Sequence, residues 1–190
     1  RHDEMVDAIA SVFSQVKVGS PFDPESQMGP LAMRRQRERV ESYVAKGVAE
    51  GATLAFGGGR PKDLDRGWYV EPTVFGNVDN AMAIARDEIF GPVLSVIPVE
   101  DEREAIRVAN DTVYGLNAAV FTGDNDRARA VAAQLRTGNV GHNGLRGGFQ
   151  IGFGGFKQSG VGREGGREGL MSYLELKSIV LDGPPARYAS

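Results

Sequence analysis

The apolar positions of this chain fall into short stretches of two periods, and their order predicts the elements. Val6, Ile9, Ala10, Phe13 and Val16 recur at three- and four-residue spacing, which marks an amphipathic helix, with Asp3 placed to cap its start. The segment VGSPFDPESQMGPL that follows carries three prolines and two glycines and reads as a long surface connection. Helical spacing returns from about Met33 to Glu50, with Val40, Tyr43 and Val44 on the buried face and Gly51 as the stop. TLAFGGG supplies a short strand and a glycine turn. YVEPTVFGNV supplies a second strand, in which Pro72 argues for an edge or bulged position because proline has no N–H to give a ladder. VLSVIPV is a continuous apolar run of buried-strand type. Then come a helix from about Glu102 to Asn110, a strand NAAVFTG, and a helix capped by Asp124 with Ala128, Val131, Ala132 and Leu135 at helical spacing. Gly138 ends that helix, and NVGHN makes another strand.

This alternation predicts an α/β fold, a mostly parallel sheet with crossover helices. From about Gly141 to Gly169 the texture changes to a glycine-dense loop with aromatics. A short helix through Leu170 and Tyr173 and a final strand LELKSIVL close the chain. A loop of that length inside a compact domain is more often functional than idle.

Composition removes whole classes of chemistry. The chain has 190 residues, 41% hydrophobic and 25% charged, in the globular range. No apolar run is long enough to span a bilayer, and a net charge of -3 argues against a nucleic-acid surface. Arg34, Arg35, Arg37 and Arg39 cluster, but Glu38 and Glu41 lie among them on one helix, which reads as a solvated face. There are no cysteines, so disulfides, zinc–thiolate sites, iron–sulfur clusters and a cysteine nucleophile are excluded within this chain. His2 and His142 alone cannot make an all-histidine metal site, and His142, at a strand end, reads as structural. Acidic, disulfide-free composition with no visible signal peptide suits the cytoplasm. The start at Arg1, without methionine, reads as a cut or processed end.

Two motifs invite a chemical reading. GVGREG, from Gly160 to Gly165, matches the dinucleotide fingerprint in letters only. That fingerprint needs a buried strand before it and an acidic residue about 20 residues on, and here GGFKQS precedes it. DEIFGPV, from Asp87 to Val93, sets a carboxylate beside a flat ring and a Gly-Pro turn. A carboxylate such as Glu88 can accept two hydrogen bonds from the vicinal hydroxyls of a ribose while Phe90 covers an apolar face. Gly91 would permit close backbone approach and Pro92 would fix the turn. Read alone, the motif favours the plainer account, with Glu88 an acidic residue at a helix end and Phe90 a core ring.

Five stretches, GSPFDPESQMGPL, GWYVEPTVF, DEIFGPVLSV, ANDTVYGLNAAVFTGD and FGGFKQSGVGREGG, together resemble the NAD(P)-dependent aldehyde dehydrogenase superfamily in order and spacing. The resemblance covers nearly the whole chain and implies a C-terminal catalytic-domain fragment. It implies a partial catalytic α/β domain over 1–169, and the helix and terminal strand of an oligomerisation arm over 170–190. It also implies that the catalytic cysteine, the general-base glutamate, the oxyanion asparagine and most of the cofactor domain lie upstream of Arg1. The reaction implied is oxidation of an aldehyde to a carboxylic acid with NAD or NADP. A thiolate attacks the carbonyl, hydride passes to the nicotinamide, and water hydrolyses the acyl-enzyme.

Residue by residue, the resemblance makes Glu88 the holder of the nicotinamide ribose, Phe90 the ring beside it, and Glu164 a charge-relay glutamate with an upstream lysine. Asn143, Phe149 and Phe153 match the substrate tunnel and its anchor loop, suited to an apolar tail. Lys157 and Gly160 match backbone positions that bind a monovalent cation in some relatives. Arg163 and Glu175 match a subunit-interface pair, so the partners implied are a small aldehyde, the missing N-terminal portion and further copies in a dimer or tetramer. Gly152 stands where many relatives have proline, which alters the tunnel. On this reading the isolated chain is inactive. The alternative is a non-catalytic module that self-associates through an unpaired LELKSIVL strand.

Overall fold

A computed structural model of the chain describes residues 1–183. It divides into two compact units, Arg1–Glu104 and a second that begins at Ala105.

In the first unit, α1 (His2–Ser14) leads to α2 (Arg34–Ala49), β1 (Thr53–Phe56), β2 (Thr73–Gly76), α3 (Ala83–Arg86) and β3 (Val93–Ser95). Asp3 does not cap α1: the cap position is Arg1, and Asp3 lies in the first helical turn, where a carboxylate still favours the positive helix end. The predicted stripe on α2 is buried as expected at Val40, Tyr43 and Val44, and Gly51 takes φ +96° just past the helix end. These side chains meet Phe75, Val78, Ile84 and Ile89 in one apolar cluster, with Phe75 wholly out of water. Gly47 lets α2 approach closely, since a Cβ there would stand 2.9 Å from Ile84 Cδ1.

The sheet runs β1-β2-β3, and β2 is its middle strand, not an edge. Pro72 is compatible with this because it precedes the first ladder residue, so the missing N–H falls outside the pairing. The irregularity lies instead in β1, between Leu54 and Phe56. β3 is only three residues long and half-exposed, shorter and wetter than its apolar run suggested. The proline-rich connection is closed on itself. Lys17 N–H donates to Gln27 Oε1 at 2.9 Å, the Lys17 ammonium meets Asp23 at 3.1 Å, and Val18 bridges Met28.

Helix α4 (Glu102–Asn110) carries the chain from the first unit into the second. The second unit holds β4 (Asn117–Val120), α5 (Asn125–Ala132), β5 (Asn139–His142) and α6 (Gly166–Met171). The Asp124 carboxylate caps α5 as predicted, accepting from the N–H groups of Asp126 and Arg127. β4 and β5 pair in parallel, Asn117 opposite Asn139.

Three further expectations are corrected. The single, mostly parallel sheet is two small sheets, a mixed three-stranded one and a parallel pair. LELKSIVL forms no strand: Leu174–Leu181 makes no ladder with any described residue, and Leu176 and Val180 are more than 90% exposed. A strand needs a neighbour for its N–H and C=O groups, and none of the described segments supplies one. The arginine cluster is not simply a solvated face. Arg37 lies 4.9 Å from the Trp68 ring centre and donates to Gly67 O, with Arg34 on the same indole at 5.3 Å.

Candidate functional site

In the first unit the candidate site is the turn from α3 into β3. Asp87 leaves α3 in an extended conformation, its N–H still bonded to Ala83 O. Ile89 then enters the core, which anchors the turn at its centre. Glu88 and Phe90, on either side of this anchor, are left in solvent, Phe90 with 70% of its surface exposed. Phe90 has φ +57°, a left-handed conformation costly for a bulky residue. Gly91 is required for packing rather than for φ. A Cβ there would stand 2.3 Å from Val40 Cγ2 on α2, so the close approach is to the protein's own helix. Pro92 O accepts from Thr73 N–H at 2.8 Å, tying the turn to the middle strand.

Sequence reasoning missed what holds this turn. Gln36 Nε2 donates to Ile89 O and Phe90 O, and Arg39 donates to Glu88 O at 2.6 Å and Ile89 O at 3.2 Å. The Tyr43 hydroxyl donates to Asp87 Oδ2 at 2.9 Å. Gln36 and Arg39 lie beside the Val40–Tyr43 stripe on α2, but nothing in the sequence marks the turn about 50 positions later as their acceptor.

The remaining candidates belong to the second unit. Phe153 and Glu164 exchange both backbone hydrogen bonds, each 2.8 Å, pinning the glycine-rich loop across its base. Above this bridge is a cleft of about 340 Å³, lined by Phe149, Ile151, Phe153 and Glu164 among others. Phe149 is fully exposed at its rim. A second cleft of about 380 Å³ includes Phe153, Gly160, Arg163 and Glu164. Gly152, the departure noted in the sequence, faces Glu168, whose Cβ would lie 3.3 Å from an added Cβ.

Asn143 is engaged elsewhere. Its side-chain oxygen accepts from Thr122 N–H and its NH2 donates to Thr122 O, both at 2.9 Å. His142 Nε2 lies 2.8 Å from the same carbonyl, consistent with a structural role. The Lys157 ammonium donates to the carbonyls of Asn110 and Thr112, at 3.1 and 2.9 Å. Gly160 is exposed, with φ +128°. Arg163 donates to Gly155 O and Gly162 O, while Glu175 lies in the exposed terminal segment. GVGREG follows a 3-10 turn, Lys157–Ser159, so it lacks the strand its fingerprint requires. No group of three or more His, Asp or Glu side chains among the described residues could hold a metal ion.

Non-glycine residues with positive φ are Asn77, Phe90, Asn143 and Lys157 among those described, and all but Asn77 were singled out from sequence as site candidates. The aldehyde dehydrogenase family matches residues 1–179. The chain belongs to that family.

Among its relatives is the geranial dehydrogenase of Castellaniella defragrans, 48% identical over 183 residues, which are 96% of this chain and 38% of the relative. A Mycobacterium tuberculosis aldehyde dehydrogenase complexed with NAD+ superposes with a TM-score of 0.94 at 47% identity, covering 100% of this chain and 39% of that one. A mutant aldehyde dehydrogenase C of Pseudomonas syringae, with NAD+ and octanal, gives 0.92 at 44% identity over 95% of this chain and 37% of that one. The chain thus spans about two fifths of the length of these relatives. The family match also corrects the placement expected from the motifs. It establishes a fragment of an aldehyde dehydrogenase, matched over residues 1–179 at 38% of the relatives' length. The expected C-terminal catalytic-domain fragment is therefore corrected to a fragment of an aldehyde dehydrogenase.

Proposed function

We propose that this chain supplies the nicotinamide-ribose hook and part of the aldehyde cleft of an NAD-dependent aldehyde dehydrogenase, with the thiol nucleophile coming from outside residues 1–190. The observation that carries this is the Glu88–Phe90 turn. A buried Ile89 fixes two exposed neighbours, one a carboxylate and one a ring held outward by a left-handed backbone. These residues fit a ribose beside a flat heterocycle: the carboxylate accepts from both vicinal hydroxyls, and the ring offers an apolar face. The chemistry that NAD supplies when bound is acceptance of a hydride from the substrate carbon.

Within the second unit, the cleft lined by Phe149, Ile151 and Phe153 suits an apolar tail, in keeping with geranial and octanal as the aldehydes named for two relatives. Glu164 lines that cleft, and in this reading its carboxylate holds or passes a proton. Lys157 and Gly160 as cation ligands, and Arg163 with Glu175 at a subunit contact, belong to the same reading.

In the full-length enzyme, Glu88→Gln should lower kcat/KM for NAD roughly 10- to 100-fold, the scale of one charge-assisted hydrogen bond. Steady-state kinetics identical to the parent's would reject the assigned role.

A further inference from the structure

The Glu88–Phe90 turn is costly, and α2 is what opposes the cost. A bulky residue in the left-handed region is disfavoured by about 1–3 kcal/mol, and it persists only where its surroundings over-determine it. Here the surroundings are specific. Three consecutive carbonyls, of Glu88, Ile89 and Phe90, face one helix and accept from two of its side chains. The Gln36 amide gives both of its carbonyl bonds to this turn, and Arg39 gives its Nε and Nη2. The Tyr43 hydroxyl holds the turn's first carboxylate, and Arg39 lies over the Tyr43 ring at 5.0 Å from its centre. Val40, on the same stripe, closes the space beneath Gly91.

We infer that Gln36, Arg39 and Tyr43 are positioning residues that set cofactor affinity in the parent dehydrogenase by fixing the turn carrying Glu88 and Phe90. The inference rests on the ribose-hook reading above. It assigns these side chains a route through the turn's backbone. Direct contact with the cofactor would produce a different pattern of coupling.

The test is a double-mutant cycle in the full-length enzyme, with Gln36→Leu and Arg39→Met made in both the parent and the Glu88→Gln background. Each single variant should raise KM for NAD about tenfold with kcat little changed. Deuterium uptake of the peptide spanning residues 86–92, measured without cofactor, should quicken. Arg39→Lys, which retains a donor, should recover part of both effects. In the Glu88→Gln background the KM effect of the clamp variants should largely vanish. An undiminished effect there would overturn the inference, since the side chains would then act independently of the hook. Unchanged deuterium uptake would overturn it as well. If Glu88→Gln alone were silent while the clamp variants raised KM, the ribose-hook reading would be the one to fail, taking the clamp's assigned route with it. Should Arg39→Met not assemble, Gln36→Asn keeps the amide one methylene short of its carbonyls and is expected to show the same coupling.

Discussion

Phe90 and Gly91 are adjacent residues with opposite demands on the backbone. Phe90 occupies a conformation that glycine would adopt freely, whereas Gly91 has an ordinary φ but no room for a side chain. The sequence showed a glycine after an aromatic; it could not show that the steric demand comes from Val40, 51 positions earlier. Gly91→Ala should destabilise the protein by about 1–3 kcal/mol, because Val40 is buried and β-branched and cannot swing aside. A lowered urea midpoint at unchanged slope would register this. A second residue-scale expectation concerns Glu41. Its carboxyl is held below the ordinary glutamate value by the hydrogen bond from Arg60, whose Nη2 lies 2.9 Å from Oε2. A lowered folded value means that the pair stabilises the fold above the ordinary value of 4.5 and loses this contribution as pH falls through the lowered one. Glu41→Gln should therefore differ from the parent at neutral pH and converge with it in acid. The difference should shrink with added salt, since Arg60 is exposed and Glu41 partly so.

At the level of elements, periodicity located α2 and α4 well and the start of α5, but α5 ends at Ala132, short of Leu135 and of the stop expected at Gly138. Asp124 shows why such an end is readable: the capping carboxylate sits next to the helix in sequence as well as in space. Asp124→Ala should cost about 1 kcal/mol, visible as a lowered thermal midpoint. Strand order was not readable in the same way. Pro72 suggested an edge, yet β2 is central, because the rule concerns which residue enters the ladder and Pro72 stops one short of it. The polar clamp on α2 was hidden for a related reason. Gln36 and Arg39 resemble any solvated helix residues until the turn that accepts their hydrogen bonds is in place. Nonlocal acceptors leave no local mark on the donor's sequence.

On the scale of the molecule, the family was legible because five motifs kept their order, while the part of the enzyme that the chain represents was not. Residues 1–190 contain no thiol, so the purified chain should show no NAD-linked aldehyde oxidation; measurable turnover would contradict the proposed division of labour. The segment Leu174–Leu181 exposes Leu176, Ile179 and Val180 without forming a strand, so the alternative of a self-associating module would act through this apolar surface and not through a strand edge. Sedimentation should then show concentration-dependent mass, and a dilute monomer would count against it. No helix among the described residues is long and apolar enough to cross a membrane. One consequence follows from α2, which contributes both to the core and to the clamp. On the proposed ribose-hook reading, full-length molecules in which only the first turn of this helix, with Gln36, has frayed would keep the core yet fail to present the hook, and the apparent affinity for cofactor would fall by that fraction. Warming should therefore weaken binding before the protein melts, and saturating cofactor should delay the loss by holding the helix wound.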